Sequence, residues 1–134
     1  MHKIMSEFNA RNIVGNIGNM LQYKMNFKIG VNNMEMRLEY LGSTLVAKLD
    51  GELDQSCAAE IRERIDNEIN LHGITNLVMD FNNVSFMDSS GIGVLIGRYK
   101  QIKARGGKML VIRTQPQVDK VIELAGLKRI MDFD

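Results

Sequence analysis

Apolar residues recur every three to four positions in three segments of the chain, the spacing of helices that bury one face. In the first segment these positions are Ala58, Ile61, Ile65 and Ile69. In the second they are Ile92, Leu95, Ile96, Tyr99 and Ile102. The third helix is short, begins at Pro116 and ends before Gly126, which suits the preference for proline at a helix start and glycine after its end. Asp54 or Ser56 is expected to cap the first helix and Gly73 to end it.

Between these helices lie short apolar runs that predict strands. The predicted strands are Met36–Leu41, Thr44–Leu49, Asn76–Phe81, Lys108–Ile112 and Ile130–Phe133. Gly42-Ser43 separates the first two strands and favours a hairpin between them. The order β-β-α-β-α-β-α-β predicts a single α/β domain, with a mixed sheet of four to five strands and right-handed crossovers.

The first 33 residues differ from the rest. They contain seven asparagines, and four basic residues against one acidic residue. A weak helical pattern that ends at Met25 is opposed by Gly15 and Gly18. We therefore expect residues 1–33 to be a disordered extension or a translated leader, and residues 34–134 to form the domain. Ile29-Gly30-Val31 is compatible with a ribosome-binding sequence, which would make Met34 or Met36 the natural start, and the codons at these three positions test this.

Composition narrows the functional classes. A chain of 134 residues with 45% apolar residues can bury one hydrophobic core. The formal net charge of +1 provides no bulk attraction to nucleic acid or to an anionic membrane. The lone Cys57 cannot form an internal disulfide and fits a reducing cytoplasm. With two histidines and no long apolar run, the sequence predicts neither a metal or other cofactor nor a membrane span.

The segment Asp88-Ser89-Ser90-Gly91 stands between a predicted strand and the second helix. One interpretation is structural, with Ser89 or Ser90 as the N-cap. A catalytic serine would need a base to accept its proton, and the two histidines, His2 and His72, are not placed to serve. The sequence therefore does not predict an enzyme.

A nucleotide-binding interpretation rests on the glycines from Gly91 to Gly97. Their spacing is one residue away from the dinucleotide pattern, and they lie inside the helix rather than in a loop before it. The residues by themselves therefore indicate a small α/β domain with an exposed serine-containing helix start, and no reaction.

The run Phe86–Lys103 resembles the signature of the STAS-domain anti-sigma-factor antagonists, and most strongly that of members in the sporulation sigma-F pathway. Gly51–Asp54 resembles a second motif of the family, and Gly107–Leu127 continues the similarity. The resemblance extends from about Met36 to Phe133, nearly the whole predicted domain.

This resemblance implies a phosphorylation switch. Ser90 would accept phosphate from a serine kinase that is also the anti-sigma factor. The unphosphorylated protein would bind that kinase and release the sigma factor, and a PP2C-type phosphatase would restore it. The residues that the resemblance places in or beside the kinase contact are Asp54, Asp88, Ser89, Gly91 and Ile92.

Two departures and one alternative stay open. The first 33 residues have no family counterpart, and family members usually continue beyond the last strand into a final helix. Without that helix, we expect lower stability or self-association. The alternative function is a STAS domain that binds a small ligand or a nucleotide at the same helix start.

Overall fold

The described part of this computed structural model comprises residues 23–30 and 34–134. The strands are β1 (Tyr23–Ile29), β2 (Met34–Leu41), β3 (Thr44–Leu53), β4 (Asn76–Met87), β5 (Met109–Ile112) and β6 (Asp132–Phe133). The helices are α1 (Gln55–His72), α2 (Ser89–Ala104) and α3 (Pro116–Leu124), and a 3-10 turn spans Leu127–Arg129. The strands form one sheet in the order β1-β2-β3-β4-β5-β6, antiparallel from β1 to β3 and parallel from β3 to β6. The predicted α/β class and mixed sheet are confirmed.

Strand β1 makes the sheet one strand larger than the predicted maximum of five. Met25, Phe27 and Ile29 alternate with exposed polar residues, and they lie opposite Leu38, Met36 and Met34 of β2. Met25 therefore belongs to a strand and not to the weak helical pattern, because a period of two is the signature of a half-buried strand. The rest of the proposed extension, residues 1–22 and 31–33, lies outside the described residues, and the proposed start at Met34 or Met36 stays a prediction.

Strands β3 and β4 are longer than predicted. We expected them to end at Leu49 and Phe81, but they continue to Leu53 and Met87. The register between them shifts at two irregularities, one of which is next to Gly51. Such bulges interrupt the regular alternation of side chains. The sequence therefore shows no strand pattern in this region, although the two strands remain paired.

The three helices and one face of the sheet share a single hydrophobic core. All four predicted apolar positions of α1 are buried. In α2 the buried side chains include Val94 and Arg98, which the predicted apolar face omitted, whereas Ile92, Ile96 and Tyr99 are only half-buried. Arg98 is buried between the helices and its Nε lies 2.8 Å from Oδ1 of Asp66 on α1.

Burial lowers the pKa of Arg98, and the opposing attraction of Asp66 offsets part of this desolvation. The pair therefore joins α2 to α1 through a charged contact between a buried guanidinium and a partly exposed carboxylate. Within the described segments, none of the helices has the length and apolar character required to cross a bilayer.

Gly107 is required where the chain turns from α2 into β5. A Cβ there would lie 1.5 Å from the carbonyl oxygen of Thr75, a backbone atom that cannot rotate away. We expect Gly107→Ala to lower the free energy of unfolding by about 1–3 kcal/mol or more, measured by urea denaturation. Gly97→Ala is the control, since its Cβ would meet nothing within 4 Å, and it should raise stability by about 0.5–1 kcal/mol. Equal effects of the two substitutions would contradict this packing argument.

Candidate functional site

Helices α1 and α2 begin at neighbouring points on one edge of the sheet. Leu53, the last residue of β3, is paired in register with Met87, the last residue of β4. The backbone N–H of Asp88 donates to the carbonyl oxygen of Leu53, 3.4 Å away. Because the two strands are parallel, both helices start at the carboxyl ends of their strands and lie side by side.

The two helices are capped in the same way. The carboxylate of Asp54 accepts a hydrogen bond from the backbone N–H of Ser56 at 2.9 Å, and Asp88 accepts one from Ser90 at 2.8 Å. The prediction that Ser89 or Ser90 would be the N-cap of α2 is therefore wrong. Asp88 precedes both serines, and its carboxylate both accepts a first-turn N–H and is favoured by the positive end of the helix dipole.

The hydroxyl groups of the two first-turn serines differ. In α1, Oγ of Ser56 donates to Oδ1 of Asp54 at 2.6 Å. In α2, the hydroxyl of Ser90 makes no hydrogen bond within the described part of the chain. Ser90 is half-buried, and its neighbour Ser89 is exposed. The backbone of Ser90 is thus held by Asp88, while its hydroxyl is not bonded to a neighbouring group.

Gly91 brings the start of α2 close to the sheet. A Cβ at this position would lie 2.2 Å from Cγ of Met87 and 3.1 Å from Cδ2 of Leu53. Gly91 is buried and Ile92 is half-buried against the core. Gly91 was expected in the contact surface. It is buried instead, and its lack of a side chain lets the start of α2 pack against Met87 and Leu53.

A shallow hollow between the two helix starts is acidic. It is lined by Asp54, Gln55, Ser56 and Asp88. Cys57 is buried beside it, with Sγ 4.0 Å from Oδ1 of Asp54. Burial raises the pKa of the Cys57 thiol, and the negative charges of Asp54 and Asp88 raise it further. Both carboxylates are therefore close enough to influence the same thiol.

The chemistry of this hollow follows from its two carboxylates. It favours an approaching cation and opposes a free anion. Among the described residues, no three acidic, histidine or cysteine side chains are grouped to hold a metal ion. The arrangement is an acidic hollow beside two serine hydroxyls, those of Ser89 and Ser90, that make no hydrogen bond within the described residues.

Phe86 is a candidate contact residue that the sequence analysis missed. It lies two residues before Asp88, opposite Glu52 of β3, and 41% of its surface is exposed. Exposed aromatic residues are frequent anchors of protein contacts. The predicted strand ended at Phe81, so the exposure of Phe86 on β4 became visible only in the structure.

Residues 35–134 match the STAS domain family. Over 99 residues the chain is 36% identical to the anti-sigma F factor antagonist of Paenibacillus polymyxa, an alignment that covers 74% of this chain and 85% of that protein. The chain belongs to the STAS-domain family of anti-sigma-factor antagonists. This family relationship confirms the resemblance seen in the sequence.

Solved structures of SpoIIAA agree with this STAS fold. The anti-sigma factor antagonist SpoIIAA in its unphosphorylated form is 34% identical, with a TM-score of 0.67, and the match covers 74% of this chain and 87% of that one. The phosphorylated form of SpoIIAA from Bacillus is 33% identical with a TM-score of 0.61, covering 74% and 90% of the two chains. The fold is thus the one that SpoIIAA has in both states.

The buried Cys57 provides a test of the hollow in solution. Because it is only 2% exposed and its thiol pKa is raised, little reactive thiolate is accessible in the folded protein. We expect alkylation of Cys57 at neutral pH to be at least about tenfold slower in the folded than in the urea-unfolded protein, followed by intact mass. Equally fast alkylation in the two states would contradict the burial of this thiol.

Proposed function

We propose that this STAS domain is an anti-sigma-factor antagonist whose binding is switched off by phosphorylation of Ser90. The observation that carries the proposal is the available hydroxyl of Ser90, held at the start of α2 while its counterpart Ser56 is bonded to Asp54. The similarity to SpoIIAA, which has been solved in unphosphorylated and phosphorylated forms, supports it.

The unphosphorylated chain would bind an anti-sigma factor that is also the serine kinase, and so release a sporulation sigma factor. Ser89 and Ser90, with the adjacent Asp54 and Asp88, would form the centre of the contact. A PP2C-type phosphatase would return the phosphorylated chain to its binding form. In this scheme the chain has no catalytic residue of its own, because the kinase and the phosphatase perform the chemistry.

The physical effect of phosphate at Ser90 is a local change of charge. It adds roughly −1.5 to −2 charges next to the carboxylate of Asp88. The free N–H groups and the dipole at the start of α2 tolerate an anion, so the fold should persist. The contact surface, however, becomes much more negative, and the side chain of residue 90 becomes larger. Loss of partner binding without loss of structure is the expected result.

The alternative, a small anionic ligand or nucleotide at the same helix start, is less well supported. The carboxylates of Asp54 and Asp88 line the hollow where such a ligand would lie, and each already accepts a first-turn N–H of its helix. An anion would meet two like charges there. A covalently attached phosphate does not depend on such binding.

Substitution of Ser90 tests the acceptor. We expect Ser90→Ala to bind the anti-sigma kinase as the parent chain does, but to gain no phosphate when incubated with ATP and that kinase, as measured by intact mass. Ser56→Ala and Ser89→Ala are matched controls, because Ser56 occupies the equivalent position on α1 and Ser89 is the adjacent hydroxyl. Both should gain one phosphate. Phosphate on the Ser90→Ala chain would refute the assignment.

The consequence of phosphorylation is tested separately. We expect phosphorylation on Ser90 to weaken binding to the kinase by at least about tenfold, which corresponds to ~1.4 kcal/mol. The urea midpoint of the phosphorylated chain should stay close to that of the unmodified chain, and treatment with a PP2C-type phosphatase should restore binding. Equal affinities before and after phosphorylation, measured by calorimetry, would exclude the switch.

A further inference from the structure

A second concave surface lies at the end of the sheet opposite Ser90. It is a groove of about 390 Å³ between the C-terminal half of α2, the residues that lead into β5, and the segment from the 3-10 turn to β6. Since β4, β5 and β6 are parallel, this groove is at their amino ends, whereas the hollow beside Ser90 is at the carboxyl end of β4. Its size is within the range of small-molecule sites.

The groove is strongly basic. Its charged lining residues are Lys103, Lys108, Lys128, Arg129 and one carboxylate, Asp132. In the described part of the chain, no carboxylate lies within 4.0 Å of the charged groups of Lys103, Lys108 or Arg129. Three cations around one concavity are therefore not neutralised by ion pairs.

Lys128 differs from these three cations. Its Nζ lies 2.9 Å from Asp119 and 3.2 Å from Glu123, both on α3. These bonds raise the pKa of Lys128. Lys128 thus lines the groove, but its charge is balanced by these two carboxylates.

Local helix chemistry accounts for only one of the unpaired cations. Lys103 is in the last turn of α2, where a positive charge is favoured by the helix dipole. Lys108 precedes β5 and Arg129 ends the 3-10 turn, so the tertiary fold brings them to the groove from separate elements. Tyr99, half-buried, forms part of the wall. The grouping is a property of the folded chain.

We propose that this groove binds a small anion that carries two or more phosphate groups. Ammonium and guanidinium groups make charge-assisted hydrogen bonds to phosphate oxygens, and a polyphosphate can engage several of these cations at once. A single phosphate would present fewer oxygen atoms to these three cations. The proposal does not depend on the phosphorylation of Ser90, which is at the other end of the sheet.

Titration of the full chain with inorganic triphosphate at low ionic strength tests the site, followed by backbone amide NMR shifts. We expect saturable shifts at Lys108, Met109 and Asp132, with millimolar or tighter affinity that weakens as salt is added. A parallel titration with ATP separates two sources of the same chemistry. Equal affinities would support recognition of the phosphates alone, and tighter ATP binding would support a contact between the base and Tyr99.

Charge-matched variants locate the site. Lys108→Gln and Arg129→Gln should each weaken triphosphate binding about tenfold while the dispersion of the spectrum is retained. Lys120→Gln removes the same charge from an exposed position on α3 outside the groove, and it should leave the affinity unchanged. The absence of saturable shifts, shifts centred on Ser90, or an equal loss in the Lys120→Gln chain would overturn the proposal.

Discussion

The pairing of the last residues of β3 with those of β4 is the contact on which the candidate site depends. It aligns Leu53 with Met87 and lets Asp88 donate its N–H to the carbonyl of Leu53. Each strand passes directly into a helix, so two helix N-termini are fixed next to each other. Gly91 allows the second helix to lie almost in contact with the strand ends. Neither helix start would have this neighbour if the strands ended where their regular alternation ends.

The two helix starts have the same aspartate cap, but their serine hydroxyls are bonded differently. In α1 the aspartate binds both the N–H and the hydroxyl of its serine, so the polar groups satisfy one another. In α2 the aspartate binds only the N–H, and the hydroxyl of Ser90 makes no hydrogen bond within the described residues. A helix N-terminus is a favourable place for added negative charge, because its dipole and unpaired N–H groups stabilise an anion. A phosphate added there would change the charge of the surface without placing a charge in the hydrophobic core.

The near-neutral charge of the whole chain conceals two ends of opposite character. The edge with Ser90 has the carboxylates of Asp54 and Asp88, while the groove at the amino ends of β5 and β6 has four cations and one carboxylate among its lining residues. The two surfaces are separated by the length of the parallel strands. The formal net charge of +1 reports only their sum.

By itself, the sequence determined the order of the helices and strands from β2 onward, the buried face of α1, the hairpin at Gly42-Ser43 and the end of α1 at Gly73, and it named Asp54 as one of two candidate N-caps; all of these are confirmed. These features follow from periodicity and capping within a few residues of each position. Only the tertiary structure decided the pairing of β1, the extension of β3 and β4 past their bulges, the burial of Arg98 and the exposure of Phe86. Each of these depends on a residue distant in the chain, and the local spacing of apolar residues does not identify that residue. The candidate site shows the same division, since the motif around Ser90 is visible in the sequence, whereas the pairing of β3 with β4 places it beside the start of α1.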